Sequence, residues 1–285
     1  MIRLKMSLVI AVMLVLWIAG ARCSGQASSG PMFNTAGAGA RASDIESAVG
    51  AICKSGDITR SKDGRVSGCH TCPKGTDSYG ESHSNWEMYA ETPGHFISAQ
   101  DDNLILDGTG CDSHANNFGG SFIFSIKDGK ARLVRYDQGL VTSQCHKFAY
   151  KDGRDFIVCR GGWGGQGEND ENVFMAAFAA TGKETVTRLI STSDTRGTCL
   201  DDPTQVVQEA EVSSIKFVPQ DSGQITGMTV TATLGNIKCS QVDSGSKSGK
   251  TAGTVKTYEI EFLFDGQHFN ATPASKAALR RFENI

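Results

Sequence analysis

The sequence predicts a mainly β protein built of antiparallel hairpin units, with short helices near the N- and C-termini. Three observations carry that prediction. Gly is abundant at 33 residues and Pro scarce at 6; glycine at that density marks many tight turns, which suits short strands. From about His95 onward, short apolar runs alternate with Asp-Gly pairs. Both residues of such a pair tolerate positive φ, so Asp-Gly between two β-prone runs signals a hairpin. About ten such runs stand against two weak helical patterns, which places the chain in the β class.

The first segment sets the compartment. Arg3 and Lys5 precede an apolar run over residues 6–18, and Ala19-Gly20-Ala21 follows it. Basic residues, a short apolar stretch and small residues in that order form a secretory signal. The run falls short of the about 20 residues that a bilayer-spanning helix needs. The expectation is a signal peptide over 1–21 and, after cleavage, a secreted or periplasmic protein with no membrane span. Cys23 keeps open a lipid-anchored envelope protein with a scaffold role, although Arg22 stands where lipidation requires a small residue. The full chain has a net charge of -3, and losing Arg3 and Lys5 brings it to -5 (-3 - 2). That mild acidity gives no electrostatic footing for nucleic acid.

Residues 22–42, rich in Gly, Ala and Ser, read as a flexible leader. Residues 43–94 form a cysteine-containing N-terminal segment with one short helix. Ser43 is placed to cap that helix, Glu46 follows three residues later, and Ile45, Val49 and Ile52 share a face. Residues 54–94 are polar and Gly-rich without a clear period. Residues 95–285 make the β-rich domain. There the run 103–106 meets Asp107-Gly108, 121–126 and 131–136 flank Asp128-Gly129, and 146–150 and 155–159 flank Asp152-Gly153. Further on, 215–219 and 228–234 flank Asp221-Ser222-Gly223, and 258–264 turns at Asp265-Gly266. Residues 240–254 read as a Ser/Gly/Lys-rich loop and 274–283 as a terminal helix.

In an oxidising compartment the nine cysteines default to disulfides. Cys53, Cys69, Cys72, Cys111, Cys145, Cys159, Cys199 and Cys239 are the candidates, and eight cysteines pair in roughly a hundred ways. Cys145 and Cys159 bracket one predicted hairpin and are placed to meet across it; Cys199 with Cys239 follows by elimination. Cys69-His70-Thr71-Cys72 has the spacing of a redox centre or half a zinc site. Its flanks do not form the strand-to-helix entry of a thioredoxin-like centre, and no second C-x-x-C or H-x₃-H completes a zinc set. Structural bridges are the stronger reading.

The Asp-Gly turns are followed by apolar strands, and Asn116-Asn117-Phe118-Gly119-Gly120 puts a glycine pair before another. Over residues 95–180 this pattern resembles the FG-GAP and VCBS repeats of extracellular β-propellers. The resemblance implies blade-like four-stranded units. Read from the residues alone, the same hairpins also fit a β-sandwich or barrel.

Two segments invite a functional reading. Asp112, Ser113 and His114 hold the residue types of a hydrolase, but adjacent residues cannot form a triad, whose partners meet from distant parts of the chain. No G-x-S-x-G elbow is present. Residues 161–172, with Trp163 in a glycine frame beside Gln166 and Asn169, predict a binding loop: an aromatic ring next to amide groups stacks on a sugar or grips a protein. Glu168, Asp170 and Glu171 add oxygen ligands of the kind calcium takes; no other cofactor is implied. Asn270-Ala271-Thr272 is a glycosylation acceptor in a eukaryotic source. The expected function is binding of a protein or glycan ligand, with an extracytoplasmic hydrolase acting on glycan or peptide as the alternative.

Overall fold

A computed structural model describes residues 39–76, 85–112, 119–178, 184–199, 203–220, 224–242 and 255–283. The expected signal peptide, almost all of the leader, Cys23, Ser113, His114, the Asp221-Ser222-Gly223 turn and most of the 240–254 loop lie outside the described residues.

The chain is mainly β, and all its sheets are antiparallel meanders. After helix α1 (Ala42–Ile52), sheet I contains β1 (Ile58–Arg60), β2 (Val66–Cys69), β3 (Trp86–Gly94), β4 (Asp102–Thr109), β5 (Gly119–Lys127) and β6 (Lys130–Gln138) in chain order. Sheet II holds β7 (Cys145–Ala149), β8 (Asp155–Gly165), β9 (Glu168–Phe178) and β10 (Glu184–Asp194). Sheet III holds β11 (Val206–Pro219), β12 (Ile225–Lys238), β13 (Lys256–Phe264) and β14 (Phe269–Ala271), with a short α2 (Lys276–Leu279) after it. Sheets II and III are four-stranded, as a blade is, but sheet I has six strands, and the described residues form no closed barrel or propeller ring.

The sheets lie face to face because their strands are apolar on both sides. Leu104, Leu106, Phe122 and Phe124 pack with Ala48 and Val49 of α1. Ile105 and Ile123, one residue out of phase, pack instead with Ile157, Cys159 and Ala176 of sheet II. Phe148, Phe156, Val158 and Met175 project from the other face of sheet II onto Val212, Met228, Val230 and Ile260 of sheet III. Side chains alternate across a strand, so the unbroken burial of 103–108 and 119–124 reports a sheet covered twice. The order is α1, sheet I, sheet II, sheet III. Sheet III turns its outer face to solvent, and β13 alternates there between buried Ile260, Phe262 and Phe264 and exposed Glu259, Glu261 and Leu263.

Several expectations need correction. Asp107-Gly108 is not a turn; it lies inside β4, where Asp107 is fully buried and Gly108 leaves room for the Trp86 indole against it. Asp128-Gly129 is the tight turn expected, with both residues at positive φ. The expected loop over 161–172 is a hairpin: β8 and β9 pair from Ile157 with Ala176 out to Gly165 with Glu168 around Gln166-Gly167, both at positive φ. The polar 54–94 segment contains β1, β2 and β3, and sheet I runs through residue 95. Arg41 rather than Ser43 occupies the helix N-cap, without a side-chain cap bond. Glu46 is engaged by Arg60 (Nη1 to Oε2, 3.1 Å) instead of closing a capping box. The terminal helix shortens to Lys276–Leu279, followed by turns that bury Phe282 against Tyr258.

Candidate functional site

The cysteines settle first, because they fix which thiols are free for chemistry. Among the described residues, Cys53 bonds Cys69, Cys72 bonds Cys111, Cys145 bonds Cys159 and Cys199 bonds Cys239. Cys145 and Cys159 are direct partners across β7 and β8. The two sulfurs of Cys69-His70-Thr71-Cys72 go to different partners, which removes the redox and zinc readings of that motif.

A polar row crosses the inner face of sheet I. Ala90, Asp107, Ser121 and Asp137 are successive cross-strand neighbours on β3, β4, β5 and β6. The Asp107 carboxyl receives the Thr142 hydroxyl at 2.9 and 3.0 Å and the Ser143 backbone N–H at 2.9 Å. Thr142 also meets Thr92 at 3.0 Å. Ser121 Oγ lies 2.7 Å from both Asp107 Oδ1 and the Leu140 carbonyl. A hydroxyl has one proton, so Ser121 donates to one of those two acceptors at a time. Burial pushes Asp107 above the usual carboxylate range, with the Ser121, Ser143 and Thr142 hydrogen bonds opposing. Beside it Asp137 is buried and paired with Arg135.

Asp107 thereby clamps the 3-10 turn Thr142–Gln144 onto sheet I. Above the clamp opens a cleft of about 340 Å³, lined by Tyr89, Thr109, Val141, Ser143, Gln144 and Gly162. Tyr89 sits at a bulge in β3 and keeps its large ring 49% exposed. Partial burial, and then the charge of Asp107, raise its hydroxyl pKa, so it is a neutral donor. Gly162 brings the β8–β9 hairpin to the cleft wall, and the next residue, Trp163, pairs with Asp170.

That hairpin is braced. A Cβ built on Gly167 falls 2.5 Å from the Gly197 carbonyl carbon, and one on Gly197 falls 2.6 Å from the Gly167 carbonyl oxygen. Gly197 belongs to the 3-10 turn Arg196–Thr198, held by Arg196 on Asp194 (Nε to Oδ2, 2.8 Å) and on Glu209 (3.4 Å). Further down the hairpin Arg160 pairs with Glu171, whose Oε2 accepts the Val212 N–H at 3.1 Å and joins sheet II to sheet III.

The expected site residues therefore share one hairpin but not one face. Gln166 is in the turn, and Asn169 pairs with Gly164; both are exposed. Alternation along β9 puts Glu168 and Asp170 on one face and Glu171 on the other. Among the described residues no group of three or more His, Cys, Asp or Glu is arranged to hold a metal. Tyr89, Ser143, Gln144 and Asp107 were not anticipated. They come from three separate segments, and the one local signal was an aromatic at an exposed position of an alternating strand. No protein-family model, curated protein or solved structure matches this chain.

Proposed function

We propose that this is an extracytoplasmic binding protein that holds a neutral, hydroxyl-rich ligand, a glycan, in the cleft beside the β8–β9 hairpin. One observation carries the reading: the half-exposed Tyr89 ring, the Ser143 and Gln144 side chains and the hairpin bearing Trp163 converge on a cleft of about 340 Å³. An aromatic face stacks on the C–H face of a sugar, and hydroxyl and amide groups read its hydroxyls. Gln166 and Asn169, both exposed, extend the surface along the hairpin whose strand β8 includes Trp163. The disulfides among the described residues support an oxidising compartment, in line with the signal read at residues 1–21. No helix among the described residues is long and apolar enough to cross a membrane. The four-stranded meander of sheet II is the unit that supports kinship with propeller repeats.

A glycan array with wild type, Tyr89→Ala and Trp163→Ala tests this. The expected result is retention of at least one neutral glycan by wild type, weakened about tenfold or more by Tyr89→Ala. No retained glycan, or an unchanged Tyr89→Ala, overturns it. Repeating the array in calcium and in chelator tests whether Glu168 and Asp170 recruit the ion. A second reading, a glycan hydrolase, is favoured by Asp107, a buried carboxyl whose pKa is raised by burial and whose hydrogen bonds hold the turn that brings Ser143 and Gln144 to the cleft. Release of sugar from the retained glycan, lost in Asp107→Asn, distinguishes it from binding alone.

A further inference from the structure

Away from that cleft, a groove of about 390 Å³ runs between β10, the β13–β14 edge of sheet III and the C-terminal turns. Its floor is apolar: Leu189, Phe262 and Phe269 are each at least nine-tenths buried and present an edge to it, and Leu279 closes one wall. Its rim is cationic. Arg188, Lys276 and Arg280 line it against one carboxylate, Glu283. Arg188 and Lys276 are exposed, and among the described residues neither has a carboxylate within ion-pair distance. Surface cations usually sit among carboxylates; here two face an apolar trough with none of their own.

We infer that this groove is a second binding site, for a single-chain amphiphilic anion of the fatty-acid class. Its carboxylate is held by Arg188 and Lys276 and its acyl chain lies along Phe262, Phe269 and Leu279. The charge-assisted contacts supply orientation, and the burial of methylenes supplies affinity, at about 0.8 kcal/mol for each fully buried. An extended peptide fits less well, because it needs a continuous ladder of backbone partners. β10 is bulged between Arg188 and Ile190, at the groove itself, and β14 is only three residues long. The Asn270 amide already donates to Asp265 at 2.9 Å, and the α2 turn bonds its own backbone, with Leu279 N–H on Ser275 and Arg280 N–H on Lys276. What remains open to a ligand is apolar surface and positive charge. The site is independent of the glycan cleft and stands whether or not that cleft binds sugar.

Calorimetric titration of the mature protein with dodecanoate tests this, below its micelle concentration and at mildly alkaline pH so that the head is charged. Dodecyltrimethylammonium, of equal chain length and opposite charge, is the comparison, and an acidic peptide is a third probe. Dodecanoate is expected to bind with one-to-one stoichiometry and the cationic amphiphile not to bind. The double variant Arg188→Glu, Lys276→Glu weakens dodecanoate by at least about tenfold. Its melting temperature stays at the wild-type value, because both side chains are exposed and hold no ion pair. Tyr89→Ala leaves dodecanoate binding unchanged. Absence of dodecanoate binding, equal binding by the double variant, equal binding of the cationic amphiphile, loss of binding in Tyr89→Ala, or binding of the peptide in place of dodecanoate each overturns the assignment.

Discussion

Asp107 shows how far one position can depart from what its neighbours in sequence suggest. Asp-Gly after an apolar run has the form of a turn, yet Leu104, Ile105 and Leu106 belong to a strand covered on both faces, and burial continues through Asp107 and Gly108. Nothing local distinguishes this pair from Asp128-Gly129, which does turn; the difference is the Trp86 ring laid against Gly108 and the Thr142 hydroxyl waiting for the carboxyl. The raised affinity of Asp107 for its proton has a measurable consequence. The native state holds that proton more tightly than the unfolded chain does, so this residue adds stability as pH falls from its raised native value to the unfolded value of about 3.9. Asp107→Asn lacks this contribution. Urea midpoints from neutral pH down to about pH 4 should show the wild type gaining on the variant toward acid, with the gap levelling off below that point. A gap that narrows toward acid would mean that Asp107 is ionised in the fold. His146 works in the opposite direction: burial against Phe217, 4.1 Å away, lowers its pKa, so its share of stability is lost as pH falls below about 6.5.

At the level of elements, the β8–β9 hairpin is the unit the sequence hid best. Five residues at 161–165 include four glycines, and glycine depresses strand propensity. Their use here is close approach. A Cβ on Gly162 would fall 2.1 Å from the Asp170 carbonyl, and Gly167 rests backbone to backbone on Gly197. Gly167→Ala should therefore destabilise by about 2–4 kcal/mol, combining the clash with a positive φ of 88°. Chemical denaturation reads that loss, and a change below about 0.5 kcal/mol would show that the hairpin tip is not braced. The legible elements were those with period-2 alternation or a tight turn: β5, β6, β7 and β13 stand within a few residues of where the sequence puts them. β1, β2 and β3 were illegible because the Cys53–Cys69 and Cys72–Cys111 bridges do part of the work that apolar periodicity does elsewhere.

For the whole molecule, the governing fact is that sheet II is interior on both faces. Ile157 and Val158 are neighbours in β8, one packed toward sheet I and the other toward sheet III, and both are at most 1% exposed. Ile157→Ala and Val158→Ala should each cost about 2–4 kcal/mol in denaturation midpoints, whereas Thr231→Ala, in the sheet turned to solvent, should change stability by less than about 1 kcal/mol. A mild effect at either core position would remove one of the two interfaces. The site follows from this layering. Sheet I supplies Tyr89 and Thr109, the link to sheet II supplies Val141, Ser143 and Gln144, and β8 supplies Gly162. A cleft assembled across two layers leaves no single stretch of sequence in which to see it; of its lining, the segment singled out at 161–172 contains Gly162 alone.

The sulfur links have an implication for biogenesis. Along the chain the bonded cysteines are 53 with 69, 72 with 111, 145 with 159 and 199 with 239, so each joins the next one along and no covalent ring encloses or crosses another. Of the roughly hundred pairings open to eight thiols, this is the set reached when each pair couples in the order in which the chain presents it to an oxidant. The chain can be welded shut from its leading end without an isomerase to undo mistakes.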